Sequence, residues 1–146
     1  NDYPCPSGGC LLTDPEFSKR LKDLMKYGEF NLENTRLLKI GRHFRLNDNA
    51  KLVVGRNEKE NEQLVNFARE NDYLFMPTDE LAGPASLGRG TFSDALIELS
   101  CSITCRYCDI NGNVNADIIY RMFSEKENKT LNISPIGEAT LSSFRI

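Results

Sequence analysis

The chain of 146 residues has no tryptophan, one histidine and no long apolar run. Its longest uninterrupted hydrophobic stretch, Tyr73-Leu74-Phe75-Met76, falls far short of the roughly 18 apolar residues that a membrane-spanning helix needs. The opening Asn1-Asp2-Tyr3-Pro4-Cys5-Pro6 has neither the basic start nor the apolar stretch of a signal peptide, so the chain reads as soluble and cytoplasmic. With His43 alone and no Ser or Cys set to partner it, a hydrolytic triad is not expected. An excess of basic charge is also lacking: the formal net charge is −3 and the pI about 5.3, which argues against a strong autonomous nucleic-acid binder. The five cysteines, an odd number grouped as Cys5/Cys10 and Cys101/Cys105/Cys108, do not form the framework of a disulfide-stapled secreted domain.

What is present suits one domain of ordinary size, with 40 % hydrophobic residues to build a core. The chain starts at Asn1 rather than Met, which fits a piece of a longer protein. Charge is unevenly spread. Residues 1–56 hold ten Lys/Arg against seven Asp/Glu, and residues 57–146 hold eight against fourteen. Between Arg36 and Arg56 only Asp48 opposes six cations.

Periodicity and turn chemistry divide the chain into elements. Residues 1–13 read as a junction or linker, and 14–146 as a single domain. Asp14 and Pro15 start a helix in which Phe17, Leu21, Leu24 and Met25 face the core while Lys19, Arg20, Lys22 and Lys26 stay wet, with Gly28 as its stop. Residues 37–46 and 51–54 read as a hairpin around Asn47-Asp48-Asn49-Ala50. Asn57 and Glu60 make a capping box for a helix over 57–71, and 73–76 read as a buried strand ended by Pro77. The glycines and proline of 78–90 predict a loop or irregular strand. Thr91 and Asp94 cap a central helix over 92–107, and 116–120 and 129–133 are strands. The fold expected is therefore α+β, a mostly antiparallel sheet with about three packed helices.

Several motifs invite a chemical reading. Cys101, Cys105 and Cys108 have a C-x3-C-x2-C spacing that resembles the iron–sulfur motif of radical S-adenosylmethionine enzymes. The barrel of that family needs on the order of 200 residues, and few remain after Cys108. The same spacing puts all three thiols on one helical face, where cysteine packs as a small hydrophobe. Cys5 and Cys10 alone are weak grounds for zinc, which usually takes four ligands. Cys10 is either a reactive thiol on a flexible Gly8-Gly9 segment or an idle one. Ser7-Gly8-Gly9 resembles the start of a pyrophosphate loop but lacks the preceding strand and the Asp-Ser continuation, so no nucleotide site, no metal site and no catalytic residue is expected, and no cofactor in this chain. His43 reads as a surface histidine. Lys39, Arg42, Arg45 and Lys51 either track phosphates along the hairpin or form a solvated sheet face, and the helix start at Arg56-Asn57 adds free backbone N–H groups for an anion.

A resemblance bears on that choice. Gly41 to Leu46, Lys51 to Asn57, Asn61-Glu62, Asp72 to Phe75 and Gly83-Pro84-Ala85-Ser86 resemble the RNA-binding domain of NFACT proteins, most specifically in Gly55-Arg56-Asn57-x3-Asn61-Glu62. The variant most similar is the one joined to the C-terminus of PP-loop ATPases of the tRNA 2-thiouridylase and 4-thiouridine-synthase type. Residues 8–15 look like the junction segment of those proteins. The family commonly has two histidines where Met76 and Ala82 stand. The resemblance implies a tRNA-binding or structured-RNA-binding domain beside an upstream ATPase domain that uses ATP, with Arg56, Asn57 and Asn61 as the retained site. Read from the residues alone, Asn57 caps its helix and Asn61 braces the hairpin equally well. The competing functions are a structural or dimerisation module, which allows a homo-oligomer, and a small metal or iron–sulfur protein.

Overall fold

The computed structural model describes residues 14–28, 30–110 and 112–146. Cys5, Cys10 and the 1–13 junction lie outside the described residues. The described residues fall into two compact units, one within 14–39 together with Ile146, and one within 40–145.

In the first unit, α1 (Pro15–Tyr27) starts at Asp14, whose carboxylate accepts from Glu16 N at 2.9 Å, and ends where Gly28 N donates to Leu24 O. Phe17 and Leu24 pack with Leu38, and Leu21 covers them. Two expectations for this helix fail. Met25 is 65 % exposed, because it lies a full 100° around the helix from Leu24 and so leaves the stripe. Arg20 is buried: its stem lies within the stripe and its Nη1 donates to Leu38 O at 3.0 Å. A short helix, α2 (Leu32–Leu37), follows, capped by Asn31 accepting from Asn34 N at 2.8 Å.

The second unit is built on six antiparallel strands in the order β1-β2-β4-β3-β5-β6: β1 (Arg42–Asn47), β2 (Ala50–Val54), β3 (Tyr73–Pro77), β4 (Ser86–Gly90), β5 (Ala116–Met122) and β6 (Lys129–Ile133). The α+β class with an antiparallel sheet is as expected. Of five helices among the described residues, three are long: α1, α3 (Glu58–Phe67) and α4 (Asp94–Arg106). The strand expected over 37–46 begins only at Arg42, since the helix started at Asn31 runs through Leu37 and a turn reaching Gly41, at positive φ, follows it. Helix α3 ends at Phe67 rather than residue 71, because the Asp72 carboxylate takes the Arg69 N–H at 2.8 Å and turns the chain. Helix α4 is capped by Ser93, which accepts from Leu96 N.

Alternation along the strands sorts residues between two faces. Phe44, Leu52, Val54, Phe75 and Ile118 form one face and pack with Cys101, Cys105 and Ile103 of α4. The short helix α5 (Glu138–Ser142) buries Leu141 in the same core and returns the chain to β1, where Arg45 N donates to Phe144 O at 2.8 Å. On the other face α3 packs against β4, with Leu64, Leu74 and Leu87 buried. There Arg89 of β4 forms a bidentate pair with the buried carboxylate of Asp72, at 2.7 Å for its shortest contact. His43 is buried rather than on the surface, with Nε2 bonded to Ile40 O at 2.9 Å.

Cys101, Cys105 and Cys108 are free thiols within this core, and burial pushes Cys101 and Cys108 up to about 12. The thiolate that a disulfide reagent or a metal requires is therefore scarce at neutral pH. In a Cys5→Ser/Cys10→Ser variant, a thiol reagent should find no reactive sulfur until denaturant is added. Cys101→Ala should lower the stability read from urea melts by about 1 kcal/mol. Rapid labelling of the native protein would contradict this packing.

Candidate nucleic-acid interface

One end of the sheet carries an open groove of about 710 Å³, where β2 and β3 finish, β1 and β4 begin, and α4 ends. Arg42, Arg56, Asn57, Asn61, Thr78 and Tyr107 line it, together with the loop 81–85. The structure thus brings four of the residues expected from sequence into one place. It separates the others. Arg42 is the cross-strand partner of Val54, on the α4 face, whereas Arg45 and Lys51 pair with each other on the opposite face, and Lys51 is only 7 % exposed. Lys39 is exposed but belongs to the first unit.

The corner between β2 and α3 fixes three of the four. Asn57 caps α3 by accepting from Glu60 N at 2.9 Å. Glu60 reaches back past the cap, accepting from Arg56 N at 3.0 Å and from the guanidinium at 2.9 and 2.7 Å, so the arginine is held in a fork. The Arg56 side chain holds the Glu60 carboxyl down at about 2. One turn on, Asn61 Oδ1 accepts from Ala85 N at 3.1 Å, and it lies so close to Gly55 that a Cβ there would collide with it. Gly55 N in turn donates to Ala85 O at 3.0 Å. The amide nitrogen of Asn61 donates to no described residue and borders the groove. Asn57 and Asn61 both have the structural roles open to them from sequence. Each keeps its amide nitrogen without a partner among the described residues, and both line the groove.

Sequence reasoning missed Tyr107, read only as the last residue of a core helix. Its ring lies under the Arg42 guanidinium, 4.4 Å from Cζ to centroid, and also meets the ring of Phe44, 6.4 Å between centroids. Arg42 and Tyr107 are 65 positions apart in the chain, and no local pattern marks the pair. Charge in the groove is balanced, for Glu58 and Asp79 line it with the two arginines. Among the described residues no group of three His, Cys, Asp or Glu is placed to hold a metal, and no helix is long and apolar enough to cross a membrane.

Residues 41–145 match the family model described as NFACT protein RNA binding domain, which is well over half of the chain. No curated protein gives a significant match. Among solved structures, the C-terminal of the fibronectin/fibrinogen-binding protein from Streptococcus suis aligns with a TM-score of 0.63 at 14 % identity, over 90 % of this chain and 60 % of that one. That likeness is one of fold. The chain spans about three-fifths of that structure's length.

The Arg56–Glu60 fork sets a pH dependence. A carboxyl whose pKa is lowered from 4.5 to about 2 on folding contributes stability that is complete above pH 4.5 and is lost as pH falls toward 2. With Arg56 partly exposed, screening limits the contribution to about 1 to 2 kcal/mol. Glu60→Gln should cost that much at pH 7 and flatten the acid limb of a stability–pH curve between 4.5 and 2. An unchanged acid limb would mean that the fork contributes nothing.

Proposed function

We propose that this chain, which belongs to the family of NFACT protein RNA-binding domains, takes unpaired nucleotides of its RNA into the groove at the end of the sheet. The observation that carries the reading is the Arg42–Tyr107 stack beside the spare donor of Asn61. Single-stranded nucleotides are held by stacking on aromatic rings and guanidinium planes and by hydrogen bonds to base edges. Such a site does not need a basic field, which an acidic chain with a charge-balanced groove does not supply. Met76 and Ala82, standing where the family commonly has histidines, also line the groove, which supports the same location.

In the finer reading the RNA is a tRNA, bound in the cytoplasm and presented to an upstream PP-loop ATPase that activates a base for sulfur transfer. ATP belongs to that domain and not to this one. Its support is the resemblance of residues 8–15 to the junction segment of such proteins. Cys10 belongs to that segment and is the thiol assigned to the other domain's chemistry in this reading, and thiolation should require the whole protein. An ATP–pyrophosphate exchange and tRNA-thiolation assay on this chain alone should show no turnover.

Binding of a fluorescent single-stranded RNA tests the groove. With one or two phosphate contacts, the logarithm of affinity should fall with the logarithm of salt at a slope of about −0.7 to −1.4. Arg42→Ala should weaken binding about tenfold, the loss expected of one stacked base, while Arg45→Ala should change it little. A loss from Arg45→Ala with none from Arg42→Ala would place the contact on the opposite face of the sheet, and equal losses from both would contradict a contact confined to the groove.

A further inference from the structure

Beside the groove, at the same end of the sheet, β5 and β6 meet the turn after β3 around a second cavity of about 280 Å³. Thr78 and Leu81 line both cavities, so the two adjoin. The second differs in chemistry. It has no cation in its lining and carries Glu80, Asn115, Asp117 and Asn132. A phosphate would be repelled there.

Three of these side chains form a directed relay. As a carboxylate, Asp117 only accepts. Asn132 therefore turns its Nδ2 to Asp117 Oδ1, at 2.8 Å, and its Oδ1 toward Asn115, whose Nδ2 donates at 2.9 Å. Asp117 and Asn132 are direct cross-strand partners, and Thr78 N donates to Asp117 O at 3.3 Å, which ties the relay to the floor shared with the groove. The relay uses one N–H of each amide and leaves Asp117 Oδ2 and Asn115 Oδ1 as acceptors.

We infer that this relay is a base-reading subsite that takes guanine from an RNA whose neighbouring nucleotide occupies the groove. The Watson–Crick edge of guanine sets two N–H donors side by side, at N1 and N2. Adenine and cytosine set an amino donor beside a ring-nitrogen acceptor, and uracil flanks its one N–H with carbonyls. A carboxylate with acceptor capacity to spare matches only the first. The inference rests on the RNA reading of the groove, and its test separates the two.

Short oligoadenylates carrying one central guanosine or one central inosine, which lacks the N2 amino group, are titrated with the protein. The guanosine RNA should bind about tenfold more tightly than the inosine RNA. Asp117→Asn, which keeps an oxygen for Asn132 but replaces a free acceptor with a donor, should abolish that ratio and leave plain oligoadenylate binding unchanged. Arg42→Ala should weaken all three RNAs and preserve the ratio. A parent protein that does not distinguish guanosine from inosine, or an Asp117→Asn protein that still does, overturns the subsite and leaves the groove standing. Loss of the preference in EDTA would assign it to a bridging cation and overturn direct reading. Failure of the parent protein to bind any of the three would overturn both.

Discussion

The hydrogen bond from Ala85 N to Asn61 Oδ1 joins the start of α3 to the entry of β4, and the groove depends on it. It holds the first full turn of α3 against the strand β4, and the neighbouring Gly55-to-Ala85 bond ties the end of β2 to the same point. Gly55 is required by this closeness, since any side chain there would displace the Asn61 amide. Arg56 and Asn57 then have little freedom left, because the chain must turn from strand into helix within three residues. Glu60 completes the corner by accepting from both the backbone and the guanidinium of Arg56.

This corner changes what its charged residues can do. The charge of Arg56 is largely satisfied by Glu60, so the arginine shapes the groove wall more than it attracts a polyanion. Arg42, stacked on Tyr107, presents a flat cation with no carboxylate partner among the described residues. The Tyr107 ring also meets that of buried Phe44, 6.4 Å between centroids, which anchors the stack to the core. Recognition that depends on planar stacking and a few aimed donors is consistent with a domain of net charge −3, where recognition by a basic field is not.

Helix caps and strand alternation were legible in the residues themselves, because each is a local effect. Asp14 and Asn57 cap the helices that they were expected to cap, and 129–133 is a strand over its whole expected range. Residues 86–90 were not recognisable as a central strand. Their glycines hide the pattern, yet Gly88 is small because Phe92 and Phe75 pack over it. The site was legible as far as its motif is continuous: Arg56, Asn57 and Asn61 are neighbours on one corner. The run of cations from Arg36 to Arg56 misled, since a strand alternates and a run of charge does not reveal which face each member takes. Arg42 faces the groove's side of the sheet, Arg45 and Lys51 face away, and only the fold brings Tyr107 to Arg42.

Titrating isotopically labelled protein with a short single-stranded RNA, and following amide and side-chain NMR signals, tests the central claim most directly. The groove account predicts shifts concentrated at Arg42, Thr78, Gly83, Ala85 and Tyr107 and at the Asn61 side-chain amide, with Arg45, Lys51 and Arg89 little affected. Shifts centred on that second trio, or spread evenly along the first unit, would contradict it.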